Sequence, residues 1–592
     1  MFVALLSATA LASLSQLAAG GGGNSEQQVR LFTPAVVEAN LTQNMVRTAG
    51  RAVKTASPVL VPEQPWELSL FFYHSVVEVG PEVWMYYASW TDQGAFVCLA
   101  KSADAGRTFQ KPALHAVQFG NSTANNIVLV LTNGTGLVTF GAVFVDDAPS
   151  TGADVFKMTV EHAGNTGMDI WGSADGIHGW HLLVPKVQAS WFADTQPVVY
   201  WDSTQGEYLA YGRLHAGTPP GVGKPRKCPT GGPSSMRQVG FSKTIRGNLS
   251  DWTPVTEIFG FDDEPGCVDI YNNAAVRSKN AYFMVPSEYR HFSPSDSHAC
   301  SPGNDGILDI RLAVSSDGQD FEWVSDETFV DRGVGVLTSK AAGPGWHFHG
   351  EWDAGIMFAV RGFIQDNTTL TLYYWGTQMT HGDYPKIWDY PTAASGIGRL
   401  TLRKDGWFSF DSGKLLGLLT TTPVPVPSQR PVVSDMVVPG GKMELVVLFN
   451  VLSSVRGIVR AELIDAVTAW PIVGYSLNDS IPLIGHNSLQ VPLRWRSSNG
   501  ITGPVERPLD EGRLVRLRVE ATYTKLFTFE LAWQPPPPPP PMVTRAPDFD
   551  VNIITHTHGA YNHSYPSTPF TNKTLGALSC QSQCGQFSME ES

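Results

Sequence analysis

The chain has 592 residues, 42% of them apolar and 16% charged, with a formal net charge of −13. That length exceeds what a single hydrophobic core serves and predicts two or three domains, and the composition excludes a disordered chain. The acidic balance excludes nucleic acid as a partner, because nothing would offset phosphate repulsion.

Residues 1–20 are apolar and rich in Ala, Leu and Ser, and run into Gly20–Gly23. No Lys or Arg precedes the apolar run. The stretch is too short for a membrane anchor, so it reads as a signal peptide and the protein as secreted. Eight Asn-x-Ser/Thr sequons agree with export: Asn40, Asn121, Asn133, Asn248, Asn367, Asn478, Asn562 and Asn572. No other segment is long enough to span a bilayer.

Six cysteines fall in two sets. Cys98, in an apolar strand, reads as a buried free thiol. Cys228, Cys267 and Cys300 fall in loops, where one pair could bridge, and Cys580 and Cys584 lie in the tail. These spacings do not suit a zinc site, and neither metal nor cofactor is expected.

Five times an aromatic-rich strand leads into a turn of the form Ser-x-Asp-Gly-x-x-aromatic, starting at Ser102, Ser173, Ser242 (degenerate), Ser315 and Arg403, at spacings of 71, 69, 73 and 88 residues. Such a period marks a repeated supersecondary unit. In each turn the Asp side chain can bond nearby backbone N–H groups, Gly supplies positive φ, and the aromatic packs back between sheets.

Ahead of each turn, an acidic or polar residue opens an apolar strand, and a Tyr- or Trp-rich strand follows about fifteen residues later. The pairs are Trp66–Tyr73 with Val83–Trp90, Gly136–Val145 with Asp154–Thr159, Ala193–Trp201 with Glu207–Arg213, Val268–Val276 with Ala281–Val285, and Glu351–Phe358 with Leu370–Trp375. Four-stranded antiparallel sheets set radially fit this pattern: an all-β, five-bladed β-propeller over residues 28–415. The segment Val29–Glu38 is expected to close the ring against the last blade. If each acid opens an innermost strand, Asp194, Asp269, Glu351, Asp353 and Glu67 point to one mouth of the axial channel. Loops 214–236 and 286–307 then wall that mouth, and the Asp-Gly turns fall on the opposite face.

Beyond this, short alternating runs such as Lys442–Leu448 and Leu514–Val519 predict a β-sandwich over 428–534. Residues 535–541 form a polyproline spacer. The tail, 542–592, is read as disordered or as a truncated apple-like module.

The order of Arg30-Leu-Phe, Pro58 to Glu67, Ala124-Asn-Asn-Ile-Val128, Asp194 to Asp202, Asp269-Ile-Tyr271 and Trp352-Asp353-Ala-Gly355 resembles secreted bacterial proteins of the five-bladed glycosyl hydrolase superfamily, the architecture of glycoside hydrolase families 32, 43 and 68. The resemblance covers roughly residues 29 to 533. It implies a carbohydrate substrate and acids at the starts of inner strands, one of them tuning a neighbour's pKa. The short catalytic strings of those families (Trp-Met-Asn-Asp-Pro-Asn-Gly, Arg-Asp-Pro, Glu-Cys-Pro) do not occur here.

Glycoside cleavage needs one carboxylic acid to protonate the leaving oxygen and a second carboxylate as nucleophile or base. Asp194 and Asp269 match that arrangement best by position, with Glu351 or Glu67 as the acid and Asp353 beside Glu351 on one strand face. Each could instead cap backbone amides around the channel. Trp66 and Trp352 are candidate sugar-stacking residues, against the alternative of blade packing. The run His347 to Asp353 places two His and two acids on one strand face; a metal could use them, but His349 is read as a substrate ligand. Cations at the mouth, Arg213, His215, Lys224, Arg226, Lys227, Arg237, Arg290 and His291, would suit an anionic saccharide, or are solvated loop charges. Two functions compete: a secreted glycosidase, and a non-catalytic carbohydrate-binding or adhesion protein. A sialidase-like reading needs six blades, and the repeats number five.

Overall fold

The computed structural model describes residues 29–67, 73–91, 94–132, 140–149, 151–161, 167–187, 195–215, 236–261, 268–292, 305–337, 348–382, 395–428, 443–496, 509–535 and 537. The chain divides into two units, 1–536 and 537–592, and all but one of the described residues belong to the first. Apart from two 3-10 turns, Ala39–Leu41 and Pro65–Glu67, every regular element among them is a strand. No helix among them is long and apolar enough to cross a membrane.

The repeats predicted from the Asp-Gly turns are present as radial antiparallel units of a β-propeller. Blade one is His74–Val79, Glu82–Thr91, Gly94–Ser102 and Ile127–Thr132; blade two is Phe140–Val145, Phe156–Glu161, Met168–Ser173 and His181–Val187. Blade three is Val198–Asp202, Glu207–His215 and Arg237–Ile245, with two short outer strands. In blade four the strands are interrupted, the inner one being Val268–Ile270 and Val276–Ser278 and the second Ala281–Met284 and Ser287–His291. Blade five is Ile356–Ala359, Thr369–Thr377 and Ser395–Arg403, with Val53–Lys54 outermost. A parallel pairing of Leu308 with Ile356 fuses part of repeat four to repeat five. Five repeats therefore occupy four main sheets and one small sheet of short strands.

Blade strands are buried on both faces because each sheet is sandwiched between neighbours. In blade one, every residue from Val83 to Trp90 is buried, which explains the long Tyr/Trp-rich runs in the sequence.

Three of the Asp-Gly turns share one geometry. Gly106, Gly176 and Gly318 donate their N–H to Ser102, Ser173 and Ser315 (2.8, 3.0 and 2.9 Å), and Asp104, Asp175 and Asp317 each accept two further backbone N–H groups. Those three glycines have φ of +75°, +74° and +84°. Each turn is also pinned from the preceding blade, since Tyr373, Tyr86 and Tyr211 donate their hydroxyls to the carbonyls of Gly106, Gly176 and Gly318 at 2.8–2.9 Å.

At the axis, the Gln196 amide donates to the carbonyls of His74 (2.7 Å) and Gly141 (2.8 Å), tying blade three to blades one and two. Arg361 donates to Val143 O (2.8 Å) and Asn272 to Ala359 O (2.5 Å), so side chains satisfy the inner-edge carbonyls.

The ring closes differently from expectation. The closing strand is Val53–Lys54, paired with Leu400 and Thr401, whereas Val29–Glu38 pairs elsewhere: Arg30 and Leu31 with Phe529 and Thr528, and Val37 with Thr421. After the Asp405-Gly406 turn the chain leaves blade five through Trp407 for the second sheet, so the outer position falls to an N-terminal strand.

The second sheet has nine strands around two long ones, Glu444–Asp465 and Leu514–Gln534, which pair along nearly their whole length with slips near Asn450 and Ser453. Such irregularities bend long strands. It begins earlier than residue 428, because Val46–Ala49, Phe408–Asp411 and Gly417–Thr420 already belong to it. One apolar cluster runs without a break from blades four and five into this sheet, with Phe283 stacked on Trp407 at 4.4 Å. Cys98 is buried and free; the other five cysteines, residues 1–20 and the tail lie outside the described residues.

Candidate functional site

At the end of the axis where inner strands begin, blades three, four and five bring polar side chains together. Alternation along the paired strands Val268–Ile270 and Ser287–His291 sets Asp269 opposite Tyr289, with His291 two residues on and therefore on the same face. Asp269 Oδ2 lies 3.2 Å from His291 Nε2, and it accepts the Arg237 backbone N–H at 3.1 Å and the guanidinium at 3.3 Å. The Tyr289 ring lies 3.8 Å from the His291 ring and 4.6 Å from that of His381.

Blade three contributes two arginines. Arg213 donates to Tyr271 O at 2.6 and 3.0 Å with its guanidinium 4.2 Å from the Tyr271 ring, and Arg237 lies 5.3 Å from the Tyr289 ring. Blade five contributes His381, whose ring is 5.0 Å from Tyr271. Asp305 completes the group: its Oδ1 accepts the N–H groups of Gly306 and Gly382, both at 2.7 Å.

The side chains of Asp269 and His291 are fully buried. Burial alone would raise the Asp269 pKa, but the His291 hydrogen bond and the Arg237 charge outweigh it and hold the carboxyl below its ordinary value. Asp269 is thus a carboxylate at neutral pH. Burial pushes the Tyr289 hydroxyl well above the tyrosine range, so it stays a proton donor. Among the described residues, Asp269 Oδ1, Tyr289 Oη and His291 Nδ1 are buried and have no hydrogen-bond partner. Each such group costs roughly 1–3 kcal/mol, and their grouping on one face is the chemical signature of the site.

The other predicted residues have different places. Asp194 lies outside the described residues, as do Lys224, Arg226, Lys227 and His347. Glu67 is fully buried against blade one. Its carboxylate accepts N–H groups of Glu63 (2.9 Å) and Gln64 (3.0 Å), the Lys111 ammonium (2.7 Å) and the Tyr87 hydroxyl. Trp66 donates to Asn126 (2.8 Å), which also donates to Tyr87 (2.6 Å). Those two stretches of the family resemblance are therefore one packing unit. Asp353 is buried and accepts from Lys54 (2.9 Å) and Tyr374 (2.7 Å), so it fastens the closing strand. Trp352 stacks on Tyr374. The exposed Glu351 accepts Val334 N–H at 2.9 Å, and the exposed His349 sits on the adjoining hairpin. Arg290 points to the other strand face, where it pairs with Glu288 at 2.5 Å.

Of the predicted set, then, the structure brings together Asp269 and Arg213, along with Arg237 and His291 from the wider list of cations. Tyr289, Asp305 and His381 escaped sequence reasoning. The alternation Tyr289-x-His291 facing Asp269-x-Tyr271 could have found the first; the other two lie on segments that carry no motif. Among the described residues, no group of three or more His, Cys, Asp or Glu is placed to hold a metal.

A propeller with an aromatic, cation-edged carboxylate site at one end of its axis is the class of protein that fold and geometry define. By sequence, the chain matches no protein family and no curated protein. Among solved structures it is similar to the catalytic domain of a Coprinopsis cinerea GH62 α-L-arabinofuranosidase (13% identity, 60% of this chain and 97% of that one, TM-score 0.35). It is also similar to a thermostable family-43 glycoside hydrolase (11%, 57% and 92%, TM-score 0.35) and to a β-1,2-mannobiose phosphorylase from Listeria innocua (10%, 61% and 97%, TM-score 0.35).

Proposed function

We propose that the protein is a secreted glycosidase-like protein that hydrolyses glycosidic bonds of poly- or oligosaccharides at the Asp269 site. The observation that carries this reading is the ionised Asp269 carboxylate, with one oxygen free of partners among the described residues, set among Tyr271, Tyr289, His291 and two arginines. The arginines favour a uronic or sulfated unit over a neutral one. Export is supported by the five sequon asparagines within the described residues, Asn40, Asn121, Asn248, Asn367 and Asn478, all of which are exposed.

A second reading, carbohydrate binding without turnover, is favoured by one specific observation: Glu67 and Asp353 are consumed by internal partners and Glu351 accepts the Val334 N–H at the base of a hairpin. Incubating full-length protein and Asp269→Asn with neutral and anionic glycans separates the two. Sugar release lost in the variant supports the hydrolase, and retention of glycan without release supports the binding protein. Equal handling of neutral and anionic glycans would remove the charge preference.

A further inference from the structure

We propose that His291, oriented by Asp269, is the proton-transferring residue of this site, in place of a second carboxylic acid. The inference rests on the hydrolase reading and concerns how that chemistry is done.

Three observations lead there. First, His291 Nε2 is committed to Asp269 Oδ2 at 3.2 Å. A carboxylate acceptor fixes the proton on Nε2 and leaves Nδ1 with its lone pair in the neutral ring. Second, Nδ1 has no hydrogen-bond partner among the described residues, so the nitrogen that could exchange a proton is the one they leave unused. Third, the ring is held rigidly: it packs on Tyr289 at 3.8 Å between centroids, and Asp269 is itself anchored by Arg237 through backbone and guanidinium. A base oriented by a buried carboxylate is the general arrangement for acid–base work.

Among the described acids singled out from the sequence, Glu67 and Asp353 are buried behind their own donors and Glu351 accepts the Val334 N–H, while Asp305 Oδ1 already accepts two backbone N–H groups. Among the described residues, the charged and titratable groups around the ring are Asp269 on the facing strand, Arg237 from blade three, Tyr289 on its own strand, Tyr271 and Asp305 from blade four and His381 from blade five.

The imidazolium gives its Nδ1 proton to the glycosidic oxygen as the bond to the anomeric carbon breaks, and that oxygen keeps the bonding pair. Water forms the new bond to the anomeric carbon and loses a proton to the free Oδ1 of Asp269. As the products leave, Asp269 Oδ1 gives that proton to solvent and His291 Nδ1 takes one up, so one water is consumed and the dyad is restored.

The test uses full-length protein and the glycan class that it hydrolyses in the panel above. His291→Gln is expected to lower kcat by about 10²–10⁴-fold with KM changed only a few-fold, and to abolish the alkaline limb of the kcat–pH profile. In parallel, ¹⁵N-histidine NMR should find a neutral ring protonated on Nε2, its signal identified by its loss in His291→Gln. Asp269→Asn should release that tautomer, a change that needs no activity to be seen. If His291→Gln folds, keeps kcat within about threefold and leaves the alkaline limb in place while Asp269→Asn abolishes release, the inference falls and the hydrolase reading stands. A ring protonated on Nδ1 alone also overturns it. If the wild-type protein releases no sugar from any glycan, both fall together.

Discussion

The Tyr373 hydroxyl, on the second strand of blade five, donates to the carbonyl of Gly106 in the turn of blade one at 2.8 Å. The contact spans 267 residues of sequence and joins the last repeat to the first. It repeats, across the ring seam, what Tyr86 does for Gly176 and Tyr211 for Gly318. A blade is thus held by its own turn and by its neighbour's tyrosine.

Tyr373→Phe is expected to cost about 1 kcal/mol, the net worth of one buried hydrogen bond. Gly106→Ala should cost more, about 2–4 kcal/mol, because the backbone sits at φ +75° and the added Cβ would lie 1.8 Å from the Tyr373 oxygen. Urea unfolding of both variants checks the order. Equal losses would mean that the glycine is not required by the close approach.

His74, at the start of the inner strand of blade one, is fully buried, and desolvation lowers its pKa from 6.5 to about 3. Below pH 6.5 the unfolded chain takes up a proton that the folded chain refuses. Stability should therefore fall with pH from about 6.5 down to 3, by up to about 1.4 kcal/mol per pH unit. Replacing His74 with Leu should flatten this limb, as read from urea midpoints across pH. An unchanged slope would locate the acid sensitivity elsewhere.

Asp269 works in a lower window. Its folded pKa is depressed, so its stabilisation is present above the ordinary carboxylate pKa, near 4, and is lost as pH falls through the folded value. Asp269→Asn should remove that component below pH 4 and leave the His74 limb intact. The same midpoints, compared between the two variants, separate the contributions.

Glu67 is predicted to be a stability residue. Glu67→Ala removes the buried carboxylate to which the Lys111 ammonium and the Tyr87 hydroxyl donate, at a cost of about 3–5 kcal/mol. Lys111→Met in the same background should recover part of it. Near-native stability of Glu67→Ala alone would show that the network is dispensable.

The repeat itself was legible in the sequence, because Ser-x-Asp-Gly turns and doubly buried Tyr/Trp strands are local signals: Ser102 and Asp104 make their bonds within six residues, and Met85 to Ala88 are apolar whichever blades flank them. The ring closure was not. Val29–Glu38 and Val53–Lys54 are both short and strand-compatible, and only the exit of Trp407 toward the second sheet decides which one finds the open edge of blade five.

The site divides in the same way. Sequence alone placed Asp269 in an inner strand and Asp353 just ahead of one, but the strand expected from Trp66 is instead the 3-10 turn Pro65–Glu67, and the inner strand of blade one begins at His74. Which acid is free for chemistry was decided by tertiary structure. Lys111 reaches Glu67 from 44 residues away, Lys54 reaches Asp353 from 299, and His291 meets Asp269 only because two strands pair in that register. A carboxylate's role follows from the charges and donors within about 4 Å of it, and in a ring of blades those neighbours come from distant parts of the chain.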